Sequence, residues 1–280
     1  MDFEFVRYDV DGPVATITLN RPEYRNAQSY PLLQEVDDAF TLAERDDDVR
    51  VVVVRGAGGD FSAGHDLGTP QNEAARDART TMPGIDRYNE FKKYNLDLLL
   101  RWRNFSKPTI AMVDGYCIYA GWMLAGCLDL VFAADNALFL PGVIEYMSVP
   151  WDIGVKRAKE LVFESRFISA TEAHEYGFVN HVYPLEELER ETYDYARRVA
   201  ENNPVFVRIA KVMMNKAQDL QGYSNHLEDA LGDYLAMGSL GGSPMAEGVR
   251  RLASVDLAVR HRRGDRHGLT PPVREGTDTA

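Results

Sequence analysis

Residues 106–130, Ser-Lys-Pro-Thr-Ile-Ala-Met-Val-Asp-Gly-Tyr-Cys-Ile-Tyr-Ala-Gly-Trp-Met-Leu-Ala-Gly-Cys-Leu-Asp-Leu, carry the reading on which the fold depends. Thr109 to Val113 is an extended apolar run. A turn of small residues follows, helical spacing sets in at about Tyr119, and Leu128 to Ala133 is apolar again. The pattern predicts strand, turn, helix, strand. A helix that starts in such a turn presents N–H groups without intrahelical partners at the positive end of its dipole, so it can hold an oxyanion. Ala120 and Gly121 are small enough to let a carbonyl approach that backbone.

Toward the N-terminus, Phe3 to Tyr8 and Val14 to Leu19 are β-branched or aromatic and flank Asp9-Val10-Asp11-Gly12-Pro13, which predicts a hairpin. Leu32, Val36, Phe40 and Ala43 recur at helical spacing, giving an amphipathic helix from about Pro31 to Arg45. Val49 to Arg55 is a continuous apolar strand, as expected where helices cover both faces of a sheet. It leaves through Gly56-Ala-Gly-Gly-Asp-Phe-Ser-Ala-Gly-His-Asp-Leu67, whose glycines allow backbone groups to face a ligand. Residues 68–86 lack periodicity and read as a mobile loop able to act as a lid, and Tyr88 to Trp102 reads as a helix.

Beyond the central stretch, Ala137 to Leu140 and Val179 to Val182 read as strands, with helices over Lys156 to Phe163 and Thr171 to Tyr176. From Leu185 onward three helical patterns follow one another without strands. The expected division is a core over residues 1–184, a helical region over 185–258, and a disordered tail over 259–280 that is charged and poor in apolar residues.

The formal charge of −12 argues against a general affinity for nucleic acid or anionic membrane. The N-terminus has neither a basic segment nor a continuous apolar stretch, and no run approaches the ~20 apolar residues of a membrane span, so a cytoplasmic protein is expected. Cys117 and Cys127 lie in apolar surroundings and read as packed thiols, and no metal site is readable from two cysteines and six scattered histidines.

Two glycine-flanked elements, Phe61-Ser-Ala-Gly-His-Asp-Leu67 and Val113-Asp-Gly-Tyr-Cys-Ile-Tyr-Ala-Gly121, resemble those of the enoyl-CoA hydratase/isomerase, or crotonase, family. Asn20-Arg-Pro-Glu-Tyr-Arg-Asn-Ala27, Lys107 to Ala111, Asp129 to Asp135, Ile168 to Ala173 and Gly177 to Asn180 resemble further family segments, in the family's order. The resemblance implies an α/β fold, a crotonase-like ββα spiral with a helical C-terminal trimerisation region, assembled as a homotrimer or homohexamer. It implies an acyl-CoA substrate, coenzyme A entering as part of that thioester with no tightly bound cofactor. It also implies an oxyanion hole whose two main-chain donors fall at His65 and Ala120, where a thioester enolate is stabilised. For CoA the resemblance points to Arg21, Arg25, Asn26 and Ala27, with Ala63, Asp66 and Leu67 lining the other side. A lysine common in the family after the first donor segment is replaced by Gly68.

Hydratases of the family use two glutamates, and here the corresponding positions are Met123 and, in one register, Val143. Neither side chain transfers protons. Acidic candidates remain in Pro141 to Asp152, and the resemblance points first to Glu145, just past Pro141-Gly142 and close to where family members with other chemistries, such as thioester dehalogenases and C–C bond hydrolases, carry an active carboxylate; as a base it should have a pKa raised by a partly apolar pocket. Against this stands a carboxylate that caps a helix or pairs at a subunit contact. Tyr119, Tyr146, Asp152 and the His65 side chain are reserves, and Trp122 and Trp151 are candidate walls of an acyl pocket. Three functions are open: a hydratase/isomerase-like enzyme, a thioester or C–C bond hydrolase on the same fold, and a non-catalytic acyl-CoA-binding subunit.

Overall fold

The structure is a computed structural model and describes residues 2–70, 72, 77 and 81–239. Strands β1 (Val6–Asp11) and β2 (Val14–Leu19) pair antiparallel in the register Val6↔Leu19 to Asp11↔Val14. The first strand therefore runs three residues closer to the turn than its composition predicted, and the turn shrinks to Gly12-Pro13, with Gly12 at φ +55°. Pairing with β2, a nonlocal constraint, sets that boundary.

Helix α1 (Tyr30–Arg45) is capped by Ser29, whose hydroxyl accepts from the Leu32 N–H, and it buries Leu32, Val36, Phe40 and Ala43 as its spacing requires. In β3 (Val51–Gly56), Val52 and Val54 enter the core under α1, while Val51 and Val53 enter a second cluster with Leu188 and Ala196. Alternation along one strand thus builds both layers, which explains the unbroken valine run.

Helix α2 (Gly84–Lys92) passes through a π turn at Lys93–Asp97 into α3 (Leu98–Arg103), so the single helix expected at Tyr88 starts earlier and contains a wide turn. Within the segment expected to be an unstructured lid, Pro70, Asn72 and Asp77 are helical, and the remainder of 71–80 lies outside the described residues. Strand β4 (Thr109–Val113) is followed by β5 (Tyr116–Ile118), α4 (Ala120–Cys127), β6 (Leu130–Ala134) and β7 (Leu138–Leu140). The predicted turn at 114–118 is thus mostly a strand, stabilised by parallel pairing of β5 with β7. Short helices α5 (Val149–Ile153), α6 (Val155–Glu164) and α7 (Ala170–Glu175) surround β8 (Ile168–Ser169), and β9 (His181–Tyr183) is the last strand.

One sheet has the order β1-β2-β3-β4-β6-β9, parallel except for its first pair, and a second has the order β5-β7-β8. Helices α8 (Leu185–Ala200), α9 (Pro204–Leu220) and α10 (Tyr223–Ser239) complete the described chain. Leu188 and Ala196 of α8 are buried against the main sheet, and Tyr193 of that helix hydrogen-bonds the Thr16 hydroxyl at 2.8 Å. Residues 240–258 and the tail expected to be disordered lie outside the described residues. No described helix is long and apolar enough to cross a membrane, and both cysteines are free and buried.

Candidate active site

The site begins where residues 61–65 run beside β5. The Ser62 N–H donates to the Tyr116 carbonyl, and the Ile118 N–H to the Ser62 carbonyl. Gly64, at φ +92°, sits so close to the start of α4 that a Cβ there would lie 2.8 Å from the Ile118 carbonyl oxygen and 3.4 Å from the Ala120 nitrogen. Only glycine fits both the conformation and the space. This contact sets the backbone at His65 beside that at Ala120. Among the described residues neither the His65 N–H nor the Ala120 N–H has a protein acceptor, whereas both neighbouring carbonyls are engaged, Gly64 by the Gln28 N–H and Tyr119 by the Met123 N–H.

Tyr119, at the start of α4, has φ 46° and ψ −102°, a conformation rare for a residue with a side chain. Its N–H is held by the Leu140 carbonyl, and its ring covers Gly142, where a Cβ would be 2.3 Å from Cε1. Strain of this kind persists when the surroundings impose it, and it collects at functional sites. Here it ends β5 and turns the first N–H of α4 into the space beside His65.

Sequence reading missed Gln28 and Ser62, whose side chains tie the two segments of the candidate site together. The buried Gln28 side-chain amide donates to the Ser62 hydroxyl at 3.0 Å and to the Ala120 carbonyl at 3.1 Å, and the Ser62 hydroxyl donates to the Asn26 carbonyl at 2.9 Å. This bracket joins both donor segments. Their residue types do not mark them; the only signal was position, Ser62 inside the Phe61–Leu67 motif and Gln28 directly after the Asn20–Ala27 segment. Gln28→Leu should leave these acceptors without their buried donor and lower stability by about 1–3 kcal/mol, read by chemical denaturation.

Glu145 is buried, and its Oε2 lies 3.1 Å from His65 Nε2. The structure thus brings together His65, Ala120 and Glu145, three residues spread over 80 positions. Burial alone raises the Glu145 carboxyl, but the His65 imidazole and an approach by the Tyr234 hydroxyl outweigh it and hold the pKa below the ordinary value. The expectation of a raised, near-neutral carboxylate is therefore corrected: burial acts in that direction, yet the His65 imidazole favours the anion more.

The expected CoA contacts divide into two groups. Arg21 is buried, with its Nη1 donating to Asp66 Oδ2 at 2.8 Å and to the Ala27 carbonyl at 2.7 Å, and its Nη2 to Thr69 Oγ1 at 3.1 Å. Asn26 is also buried and bridges the Arg21 N–H to the Ala57 and Asp60 carbonyls. Arg21, Asn26 and Asp66 thus brace the loop from inside, with their side chains engaged by protein partners. Ala27 is buried and lends its carbonyl to the same network. Arg25, Ala63 and Leu67 retain exposed surface, and the Arg25 guanidinium lies 5.4 Å from the Tyr116 ring centroid.

The reserve residues sit elsewhere. Asp152 accepts from Trp122 Nε1 and the Ser148 hydroxyl, each at 2.8 Å, beside Gly126. That is six residues along α4 from Ala120, about 9 Å by helical rise. Burial pushes its pKa up to about 7, although both hydrogen bonds act against the rise. It borders a cavity of about 650 Å³ between α9 and the main sheet that His65 and Glu145 do not line. Tyr146 is buried and shares a 2.8 Å hydrogen bond with the Tyr223 hydroxyl. Trp122 stacks on Phe178 in the core, and Trp151 donates to His226, so neither makes a clear acyl wall. Met123 is buried and Val143 exposed.

The family description "Enoyl-CoA hydratase/isomerase" matches residues 9–231. A Mycobacterium tuberculosis protein provisionally named enoyl-CoA hydratase EchA13 is 39% identical over 254 residues, covering 81% of this chain and 78% of that protein. A Mycobacterium smegmatis structure described as a probable enoyl-CoA hydratase is 36% identical, with a TM-score of 0.77, over 85% of this chain and 97% of its own. An enoyl-CoA hydratase/isomerase structure from Xanthobacter autotrophicus is 32% identical, with a TM-score of 0.77, over 94% and 95%. With its mixed α/β architecture and helical C-terminal part, the chain belongs to the enoyl-CoA hydratase/isomerase, or crotonase, family.

Proposed function

We propose that this protein acts on acyl-CoA thioesters, stabilising an enolate between the main-chain N–H groups of His65 and Ala120, with the His65–Glu145 pair moving the proton. The observation that supports it most is the meeting of two acceptor-free amides and an ionisable pair at one place. The thioester oxygen accepts both N–H groups. As the α-proton leaves, negative charge grows on that oxygen, where fixed donors stabilise the transition state more than the ground state. The proton goes to the imidazole, and the Glu145 anion stabilises the cation that forms and fixes the ring orientation. Coenzyme A lies along Ala63 and Leu67, with Arg25 near its phosphates. Among the described residues no group of three His, Cys, Asp or Glu is placed to hold a metal ion.

The overall reaction is of the hydratase or isomerase kind. Hydrolysis of a C–C bond or thioester is the second reading, favoured by a histidine–carboxylate pair in place of side chains at Met123 and Val143 that could hold a water. The pair also argues against a purely binding role, because such a subunit needs no proton carrier. Assembly as a homotrimer or homohexamer is supported by α9, which exposes Phe206, Ile209, Met213 and Leu220. A cytoplasmic location fits the absence of a spanning helix among the described residues.

The test is exchange of acyl-CoA α-protons with deuterated solvent, which reads enolate formation whatever follows it. Ala120→Pro removes one donor and should slow exchange by roughly 10²–10³-fold, while Ala120→Gly exchanges as the parent does. A folded proline variant with unchanged exchange overturns the assignment.

A further inference from the structure

Each tryptophan donates its indole N–H to a titratable side chain: Trp102 to Asp37 at 2.9 Å, Trp122 to Asp152 at 2.8 Å, and Trp151 to His226 Nδ1 at 3.0 Å. The third bond differs in kind. An indole N–H can only donate, so His226 Nδ1 is the bare nitrogen of a neutral ring whose proton sits on Nε2. A second proton would set N–H against N–H and break the bond, whereas a protonated carboxyl still has an oxygen that accepts. His226 ends the first turn of α10, where the positive end of the helix dipole also disfavours an imidazolium. The ring is half-buried, and Trp151 borders the cavity between α9 and the main sheet, so protons reach the joint. The bond fastens α10 to the short helix α5, and the 2.8 Å contact of the Tyr146 and Tyr223 hydroxyls ties α10 to the loop between Glu145 and α5.

We propose that the Trp151–His226 hydrogen bond is a pH-sensitive fastening of α10, shut while the imidazole is neutral and opened when the ring takes a proton. The fastened state holds one proton fewer at this ring than the released state. Docking of α10 is therefore full at the alkaline end of the imidazole range and weakens as the pH falls through it, between about pH 8 and 5. The groups around the joint do not reproduce that sign. Burial pushes the Asp152 pKa up to about 7, so the folded chain takes that proton more readily than the unfolded one, and acidification there favours the docked fold. Burial raises the Tyr146 and Tyr223 phenols, which stay neutral, and the Arg103 guanidinium, 4.3 Å from the Tyr223 ring centroid, keeps its charge. Asp219, paired with Arg103 at 3.2 Å, Glu228, paired with Lys92 at 3.2 Å, and Asp229 are retained in every variant below, so their contribution is common to all.

The experiment follows the indole N–H and imidazole nitrogen resonances of the full chain from about pH 8 to 5, with backbone amide exchange over α10 corrected for its intrinsic rate. In the parent, the His226 proton should sit on Nε2 at neutral pH, and the ring and the Trp151 N–H should share one titration. Exchange protection in α10 should fall by about tenfold toward the acid end, the scale of one hydrogen bond lost with its donor left buried. His226→Gln offers a carbonyl that accepts from the indole and does not titrate, so its protection should hold at the acid end. Trp151→Phe keeps an aromatic ring and removes the donor, so protection should already be lower by about tenfold at the alkaline end and should fall no further. A proton on Nδ1 at neutral pH, a parent whose protection does not change with pH, or a parent-sized acid loss in either variant overturns the proposal.

Discussion

Glu145→Gln should lower α-proton exchange on an acyl-CoA by roughly 10²–10⁴-fold while leaving CoA affinity within a few fold, the range for a lost proton-transfer group. The substitution keeps the side chain's size at a buried position and removes the charge opposite His65 Nε2. A glutamine can still accept a hydrogen bond, so a purely spatial role would survive; stabilisation of a charged imidazole would not. The Glu145 pKa is held below its ordinary value, so the charge is present above that value and is lost as the pH falls through the depressed one. Parent exchange should therefore persist through neutral pH and fail on the acid side. Exchange within threefold of the parent across that range contradicts the role given to Glu145.

Arg21→Ala should cost about 3–5 kcal/mol of stability, because it leaves Asp66 buried without its cation. The guanidinium also lies over the Tyr24 ring at 4.9 Å and joins Ala27 to Thr69, so its loss opens the loop that supports the His65 segment. The pH dependence has a definite sign. Burial raises the Asp66 carboxyl, but hydrogen bonds from the Thr69 hydroxyl and N–H and the Arg21 charge bring it below 3.8. The stability it contributes is full above that ordinary value and disappears as the pH falls through the depressed one. Denaturation of the parent from neutral to acid pH should show this loss, and Arg21→Ala should show much less of it. A variant as stable as the parent but weaker in binding CoA would place Arg21 at the phosphate site.

The sequence made the layered α/β fold legible through strong local patterns: the Val51–Val54 run, the spacing in α1, and the glycines around Ala63 and Ala120. Motif order then pointed to the two donor positions. Short strands were harder. Residues 116–118 have no periodicity of their own and become β5 only because β7 lies alongside. For the arginine of Asn20-Arg21-Pro22, sequence shows charge but not direction, and folding points it inward at Asp66. The same limit hid Gln28, a polar residue whose worth is its simultaneous reach to Ser62 and Ala120. Glu145 was singled out by its place after Pro141-Gly142 and by the family resemblance, but its pKa shift has the opposite sign to the one expected, because His65 stands 80 residues away in sequence and 3.1 Å away in space.

The central claim, that two main-chain amides hold a thioester oxygen beside the His65–Glu145 pair, is tested most directly by a crystal structure with a nonreactive acyl-CoA thioester analogue. The predicted result places its carbonyl oxygen within about 2.7–3.1 Å of both the His65 and Ala120 nitrogens, with the α-carbon facing the His65 imidazole. A carbonyl bound away from both amides, with the acyl chain outside the space between Gly64 and Tyr119, would contradict the account.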